Sequence, residues 1–254
     1  MASSLPPIFY HYFHSPLPYK RAFALQEQIH ALQLEQRRLS SSYKDILLLL
    51  QHTPVYTFGR RQTQAEIDAE QARLRRLNVD DAEFILTQRG GQLTYHGPGQ
   101  IVGYPLIDLG RWKPPLGARD YVCKIQKTLE RQLKEGHNIS YIPSQHTGVF
   151  LDEQTKIASI GVQVRHRLTT HGFAMNITKE PLAYLDKIVA CGLVDVKPGC
   201  IEVAASKPVS VEGEIPGLVR RFGEMVGREM VELNTAYDDA FSSAIVQAEK
   251  DAAL

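Results

Sequence analysis

The chain has 254 residues, with 29 Lys and Arg against 28 Asp and Glu, so its formal net charge is +1. Hydrophobic residues make up 43% and charged residues 22%, and there are 18 Gly and 14 Pro. These values are ordinary for a globular protein and exclude the collagen-like and largely disordered classes. The balanced charge gives no support for a general nucleic-acid binder.

Neither a membrane span nor a disulfide framework is indicated by the sequence. Its longest apolar run, residues 46–50, is far shorter than the roughly 18 residues that a membrane helix needs. Three cysteines favour a reduced compartment. The start of the chain is free of acidic residues until Glu27 but is poor in Arg, so a short mitochondrial leader over residues 1–18 is left open.

Periodicity and turn residues predict alternating helices and strands in the first half of the chain. An amphipathic pattern favours a helix at residues 19–39, and the apolar run after it favours a buried strand. In chain order we predict a helix at 19–39, a strand at 45–51, an extended segment at 54–59, a helix at 65–77, a strand at 83–87, a Gly-rich loop at 89–91 and a strand at 100–109.

The second half continues the same mixture. A helix at 117–135 ends at Gly136, His137 and Asn138, because Gly and Asn tolerate a left-handed cap. After it we predict strands at 147–151, 156–164 and 172–177, a helix at 182–188, a short strand at 209–211, a helix at 216–233 that begins with Pro, and a frayed helix at 237–254. This order predicts an α+β fold with a mixed β-sheet and flanking helices. The absence of a linker predicts one domain over residues 1–254, with a polar tail at 234–254.

Several familiar catalytic signatures are missing: Cys-x-x-Cys, His-Glu-x-x-His, Gly-x-Ser-x-Gly and the Walker A sequence. Residues 97–103 come close to a dinucleotide fingerprint, but the last Gly is one position late and the segment leads into a predicted strand. The fingerprint needs a helix N-terminus to meet the pyrophosphate. A nucleotide site at this point is therefore disfavoured.

Four other segments contain candidate catalytic or binding residues. Taken alone, each of them also has a purely structural explanation. Residues 89–100 combine four glycines with Arg and His, as a turn-rich connector also does. Lys156 opens an apolar strand, where a lysine is usually a solvated edge residue. His171 is a lone histidine, more often structural, and Cys191 lies among small residues, where an inert buried thiol is the commoner case. Cys123 is expected in the core, and Cys200 in a loop.

Together, these segments resemble the octanoyltransferase family of lipoate biosynthesis. The matching stretches, in the family's order and spacing, are RGGQLTYHGPGQ at 89–100, GVF at 148–150, KIASIG at 156–161, HGFAMN at 171–176 and ACGL at 190–193. The resemblance covers roughly residues 20–233. Five stretches in the family's order make a far more specific signal than any one of them.

The resemblance implies a fold like the catalytic module of biotin and lipoate ligases. It implies octanoyl transfer from acyl carrier protein, through a Cys thioester, to a lysine on the lipoyl domains of 2-oxoacid dehydrogenase subunits and glycine cleavage H protein. Cys191 matches the family's nucleophile and Lys156 its partner. The family's substrate-binding segments fall on Arg89, Gly90, Gly91, Gln92, Leu93, Thr94, Tyr95, His96, Ser159, Ile160, Gly161, Gly172, Phe173 and Ala174.

The resemblance also sets expectations for cofactors, partners and compartment. No metal and no cofactor is expected, because the octanoyl group arrives on the phosphopantetheine arm of the carrier. We expect a monomer that contacts neither nucleic acid nor membrane. The extra length relative to short bacterial members looks closer to eukaryotic ones, which favours mitochondria; a bacterial member would be cytoplasmic. Carrier proteins are generally acidic, so the basic clusters Arg60–Arg61, Arg73–Arg75–Arg76 and Arg165–His166–Arg167 are candidate docking surfaces.

The chemistry of the residues agrees with the resemblance. Attack on a thioester needs a thiolate, and a free Cys with a pKa of ~8.5 is only about a tenth ionised near pH ~7.5. A nearby ammonium such as Lys156 lowers the pKa of a thiol, and a neutral amine can later take the proton of the incoming lysine. Backbone N–H groups near Cys191 or Gly172 are candidate donors to the oxyanion. His96 is a candidate for positioning or proton relay.

Two other functions remain open on the same residues. An ATP-dependent lipoate or biotin ligase on this fold needs no acyl-cysteine and would form an adenylate from ATP and free octanoate. A non-catalytic relative would gain no thioester when mixed with octanoyl carrier protein. The combination of Lys156 with Cys191 favours transfer.

Overall fold

The computed structural model describes residues 5–39, 43–77, 79, 81–188, 196–237 and 239–252. Within these residues the strands are β1 (Ile8–Tyr12), β2 (Asp45–Leu50), β3 (Val55–Phe58), β4 (Glu83–Leu86), β5 (Thr94–His96), β6 (Gln100–Leu106), β7 (Val149–Asp152), β8 (Thr155–Arg165), β9 (Leu168–Asn176), β10 (Lys197–Pro198) and β11 (Met230–Glu232). The α-helices are α1 (Tyr19–Leu39), α2 (Gln64–Arg75), α3 (Ala118–His137), α4 (Leu182–Leu185), α5 (Ile201–Ala204), α6 (Val211–Val226) and α7 (Ala240–Ala252).

The strands form a large mixed sheet and a small one. The large sheet has the order β10-β8-β9-β6-β2-β1-β11, with β7 also paired to β8. In it β1 runs parallel to β2 and β11, and β10 runs parallel to β8, while the other pairs are antiparallel. The small sheet has the order β4-β3-β5. The predicted α+β fold with a mixed sheet is confirmed.

Helices cover both faces of the large sheet, which explains the unbroken apolar run of β2. Successive side chains of a strand point to opposite faces. Leu47 and Leu49 pack with residues of α3 and α6, whereas Ile46, Leu48 and Leu50 pack with residues of α1 and α7. Among the described residues, the structure contains no helix with the length and apolarity to span a membrane.

Both ends of the described chain are parts of the folded core. β1 lies within residues 1–18, the stretch considered as a leader, yet it pairs with β2 and β11. α7 lies within the predicted polar tail at 234–254 and buries Phe241, Ala244, Ile245 and Ala248 in the core beside α1. The helix predicted at 237–254 is confirmed as α7, but its expected frayed and polar character was wrong, because these apolar residues recur at helical spacing and share one face.

The prediction around α6 was also wrong at both ends. Ser210, placed in a strand at 209–211, is the N-cap of α6, and its Oγ accepts a hydrogen bond from the Gly213 N–H at 3.1 Å. The helix therefore starts five residues before Pro216, which lies inside it. It ends at Gly227, whose φ of 69° is left-handed, and β11 occupies part of the predicted helix at 216–233.

Candidate active site

Two adjoining cavities lie between the small sheet and the β8–β9 hairpin. The first, which we call the glycine cavity, has an empty volume of about 450 Å³ including its open mouth. The second, which we call the lysine cavity, has about 380 Å³ on the same measure. Both are lined by Thr94, Ser159 and Ala174, so they meet at these residues. The glycine cavity is lined by Tyr19, Arg89, Gly90, Gly91, Thr94, His96, Val102, Tyr104, Ser159, Ile160, Gly161, His171, Gly172, Phe173 and Ala174.

Most of the residues that the sequence singled out for substrate binding surround the glycine cavity. Gln92 and Leu93 instead line a wider groove beside the lysine cavity. The ring of Tyr95 is buried in the core of the small sheet, stacked on Tyr184 with 4.5 Å between ring centroids. Tyr95 therefore supports the small sheet and does not line either cavity.

Arg89 anchors the glycine-rich loop to the small sheet. Its side chain is 7% exposed, and its Nη2 donates to the backbone carbonyl of Thr57 at 2.7 Å and to the hydroxyl of Thr57 at 2.8 Å. A Cβ on Gly161 would lie 2.8 Å from the Gly90 carbonyl oxygen. The loop can therefore lie directly on β8 only because that strand has Gly at this point.

Lys156 is buried, contrary to the expectation of a solvated strand edge. Its side chain is 6% exposed and lines the lysine cavity, with its Nζ 5.5 Å from the centroid of the Phe150 ring. The burial arises because β7 and β10 both pair with β8 at this residue. Between Val149↔Ala158 and Phe150↔Lys156, β8 contributes one extra residue, a β-bulge at Ile157. Such a bulge re-aims side chains, and Lys156 lines the same cavity as Ser159.

Cys191, the predicted nucleophile, lies outside the described residues. On one side of it, Ile188 lines the wider groove, and on the other, Val196 lines the lysine cavity. The described chain on both sides thus borders the space around Lys156.

Of the other two cysteines, Cys123 differs from its predicted setting, whereas Cys200 lies outside helices and strands as predicted. Cys123 is exposed, although the sequence placed it in the core. The buried face of α3 contains Tyr121, Ile125 and Leu129, and two residues along a helix correspond to about 200° of rotation, which turns Cys123 outward. Cys200 is buried at the start of α5, and burial raises the pKa of its thiol.

A chain of buried hydrogen bonds joins the two cavities. The Nε2 of Gln100 donates to the Tyr95 carbonyl at 3.2 Å and to Asn176 Oδ1 at 2.9 Å. Gln100 Oε1 therefore faces His96 Nδ1 at 2.7 Å, so His96 carries its proton on Nδ1. Asn176 Nδ2 donates to the Gly199 carbonyl at 2.9 Å, beside β10. Gln100 and Asn176 both line the lysine cavity. They close two of the quoted motifs, but no pattern in the sequence singled them out.

The histidines around the glycine cavity are uncharged at neutral pH. Burial lowers the pKa of His52 to about 4 and that of His171 to about 3. Burial, together with nearby His52 and Arg89, holds the pKa of His96 well below its ordinary range. Among the described residues, no group of three or more His, Cys, Asp or Glu side chains is arranged to hold a metal ion.

Comparison with known proteins gives consistent matches in sequence. Residues 18–222 match the lipoyl protein ligase A/B catalytic domain family. An octanoyltransferase of Koribacter versatilis is 37% identical over 197 residues, covering 77% of each chain. A mitochondrial octanoyl-[acyl-carrier-protein]:protein N-octanoyltransferase of Danio rerio is 35% identical over 208 residues, covering 82% of this chain and 88% of its own.

Solved structures of lipoate-protein ligases have the same fold as this chain. Lipoate-protein ligase A bound with ATP superposes with a TM-score of 0.68 at 14% identity, covering 97% of this chain and 94% of its own. A bipartite lipoate protein ligase of Thermoplasma acidophilum gives a TM-score of 0.66 at 14% identity, covering 98% and 93%. At this identity the likeness extends to the fold alone.

The chain belongs to the lipoyl protein ligase A/B catalytic domain family. Its relatives at 35–37% identity within that family are octanoyltransferases, so it is an acyltransferase that acts in octanoyl transfer for protein lipoylation. The resemblance drawn from the sequence motifs is thereby confirmed.

Proposed function

We propose that this enzyme transfers an octanoyl group from octanoyl-acyl carrier protein to the target lysine of a lipoyl domain, through a thioester on Cys191. The observation that carries the proposal is the burial of Lys156 in the lysine cavity, which adjoins the glycine cavity. Cys191 is five residues from Val196, which lines the lysine cavity, so the chain between them spans at most about 17 Å. A span of this size allows the thiol to approach Lys156.

In the first half-reaction the Cys191 thiolate attacks the thioester carbonyl carbon. A new carbon–sulfur bond forms to Cys191, and the carbon–sulfur bond to the phosphopantetheine arm breaks when the tetrahedral intermediate collapses. The departing thiolate takes a proton from the Lys156 ammonium. Before the attack, that ammonium favours the ionised form of the Cys191 thiol through its charge.

In the second half-reaction the amine of the target lysine attacks the acyl-enzyme. A free lysine has a pKa of ~10.4 and is almost entirely protonated at neutral pH, so a base must take its proton. The target ammonium releases one proton to solvent to give the attacking amine. Lys156, neutral after the first half-reaction, accepts a second proton from the same nitrogen as the amide bond forms and the bond to Cys191 breaks. Thiolate and ammonium are thereby restored, and the cycle needs no cofactor and no metal.

The glycine cavity is suited to the acyl chain. It reaches the lysine cavity at Ser159 and Ala174, so a thioester carbonyl near Lys156 can direct its chain into the space between the loop and β8. Glycines and apolar side chains make up eight of its fifteen lining residues, and the two histidines among the others are uncharged at neutral pH. Burial of an alkyl chain there is favourable because each buried methylene contributes about 0.8 kcal/mol.

The partners follow from the same reaction. They are octanoyl-acyl carrier protein as donor and, as acceptors, the lipoyl domains of 2-oxoacid dehydrogenase subunits and glycine cleavage H protein, with the enzyme acting as a monomer. The mitochondrial relative in Danio rerio supports a mitochondrial location if this chain is eukaryotic.

A second function, ATP-dependent ligation, is favoured by one observation: a lipoate-protein ligase A bound with ATP shares the fold. Such an enzyme would make an octanoyl adenylate from free octanoate and ATP and would not need Cys191. Formation of that adenylate by this chain would replace the transfer proposal.

The test is intact mass spectrometry after incubation with octanoyl-acyl carrier protein. We expect an octanoyl adduct on the unaltered enzyme, on Cys123→Ser and on Cys200→Ser, and none on Cys191→Ser. Cys200 is the matched control because it is the nearer of the other two thiols along the chain and is buried. Peptide mapping that places the octanoyl group on Cys200, or full transfer by Cys191→Ser, would refute the mechanism.

A further inference from the structure

Three large aromatic side chains line the glycine cavity but not the lysine cavity. Tyr19 comes from α1, Tyr104 from β6 and His171 from β9, and each is at most 3% exposed. The rings of Tyr104 and His171 meet edge to face with 6.5 Å between centroids. We call these three residues the aromatic floor.

The distance between the aromatic floor and the lysine cavity follows from the pairing of β8 with β9. Ser159 pairs with Ala174 where the two cavities meet, and Val162 pairs with His171 at the floor. Three residues of strand, at about 3.3 Å each, correspond to about 10 Å. An extended eight-carbon acyl chain, with carbon–carbon bonds of about 1.5 Å, spans about 9 Å. A chain whose carbonyl lies at the junction therefore ends against the floor.

Buried hydrogen bonds hold the floor in place. The Tyr104 hydroxyl lies 2.6 Å from His52 Nε2, and His52 Nδ1 donates to the Leu17 carbonyl at 2.9 Å. Since a carbonyl only accepts, His52 Nε2 must accept the Tyr104 proton. The backbone N–H of His171 donates to Gln26 Oε1 at 2.7 Å. A longer ligand could move the Tyr104 hydroxyl or the backbone of His171 only by breaking these bonds.

His171 is held in a costly conformation. Its φ is 59°, in the left-handed region that residues other than Gly rarely adopt. Within the described residues its buried Nε2 has no hydrogen-bond partner. Such strain persists where the surroundings impose it and is concentrated at functional sites. Burial, with the charges of Arg89 and Arg165, lowers the pKa of His171 to about 3, so an uncharged ring faces the cavity.

We infer that the aromatic floor sets the acyl-chain length of this enzyme, admitting eight carbons and excluding chains of ten or more. The inference rests on the proposed function, because it takes the glycine cavity as the site of the transferred chain. It adds to that function the residues that select the substrate, with His171 as the principal one.

His171→Gly tests the inference without straining the backbone. It removes the ring and also suits a φ of 59°, because Gly adopts this region freely. We expect the unaltered enzyme to use decanoyl carrier protein far less well than octanoyl carrier protein. In His171→Gly, the ratio of decanoyl to octanoyl kcat/KM should rise by about tenfold or more, since each newly buried methylene is worth about fourfold in binding.

His166→Gly is the matched control. His166 has a φ of 53° in the turn of the same hairpin but is exposed and does not line the cavity. It should leave the chain-length profile unchanged.

A binding series makes the inference independent of catalysis. Calorimetry would measure the affinity of acyl-pantetheines with six to twelve carbons for Cys191→Ser, with and without His171→Gly. If the unaltered enzyme transfers no octanoyl group, the proposed function fails, while this series still reports on the floor. An unchanged decanoyl-to-octanoyl ratio in both assays, with a folded His171→Gly protein, would overturn the inference.

Discussion

Lys156 is nearly fully buried, and its replacement by an uncharged residue removes a positive charge from the site. Lys156→Met keeps an unbranched apolar side chain of similar length, and we expect the fold to persist. Activity should fall by about 10²- to 10⁴-fold, the usual loss when an acid–base group is removed. The pKa of the reactive thiol should rise toward its free value of ~8.5 because the neighbouring positive charge is gone.

The measurement is the pH dependence of alkylation by iodoacetamide. Cys123 is exposed and would also react, so both proteins should contain Cys123→Ser. Buried Cys200, whose thiol has a raised pKa, contributes little. If the alkylation midpoint is the same with and without the Lys156→Met substitution, Lys156 does not activate the thiol.

At the scale of single residues, the sequence predicted which segments surround the cavities but not how each side chain is placed. Arg89, Ser159 and Gly172 were predicted to share one site because they lie in recognised motifs, and all three line the glycine cavity. The burial of Lys156 depends on β10, which begins 41 residues later in the chain, and on a β-bulge. The bulge interrupts the alternation of side chains between the two faces of the sheet, so the sequence pattern does not predict it. The Gln100–Asn176 hydrogen bond likewise joins residues 76 apart along the chain.

Among the elements, α7 was predicted as a frayed helix but is packed into the core. Ile245 of α7 is fully buried in the core that also contains Ile29 of α1 and Leu48 of β2. Ile245→Ala should lower the free energy of unfolding by about 2–5 kcal/mol. Denaturant titration followed by circular dichroism checks this. The exposed neighbour Gln247→Ala is the control and should change stability by less than about 0.5 kcal/mol; equal effects would mean that α7 does not contribute to the core.

The basic clusters that are candidate docking surfaces lie on different elements and at different distances from the lysine cavity. Arg61 lines the wide groove that adjoins the lysine cavity, just before α2. Arg165 ends β8 nine residues from Lys156, about 30 Å along the strand, and pairs with Glu27. We expect Arg60→Glu with Arg61→Glu to raise KM for the carrier several-fold and to weaken its salt dependence.

Arg167→Glu, at the far turn of the β8–β9 hairpin, is the matched charge reversal and should leave KM unchanged. Steady-state kinetics at low and at physiological salt distinguish the two sites. If KM rises with Arg167→Glu and not with the pair beside α2, the carrier docks at the hairpin instead.

For the whole molecule, the sequence indicated the fold class but not the order of the sheet. Helix and strand periodicity predicted most elements, because each is a local property of the residues. β1 escaped notice because its IFYHY sequence has only one fully buried residue, and its place depends on partners in β2 and β11. The small sheet likewise brings together β3, β4 and β5, which local patterns describe only as separate segments.

The whole molecule should lose stability on mild acidification because several histidines are buried uncharged. Folding lowers the pKa of His52 to about 4 and that of His171 to about 3, whereas an unfolded chain has a histidine pKa of ~6.5. Below pH ~6.5 the unfolded state therefore binds protons that the native state does not. Stability rises with pH wherever the unfolded state binds more protons, so it is complete above pH ~6.5 and declines as pH falls toward about 4.

His52→Gln separates this effect from the titration of carboxylates. Gln can replace both hydrogen bonds of His52, to the Leu17 carbonyl and the Tyr104 hydroxyl, without titrating. Denaturant unfolding at pH 7.5, 6.0 and 5.0 stays above the range in which most carboxylates take up protons. We expect the unaltered enzyme to lose more stability over this range than His52→Gln, by up to about 1.4 kcal/mol per pH unit below 6. If both proteins lose stability equally, His52 takes up its proton in the folded state and is not held neutral by its burial.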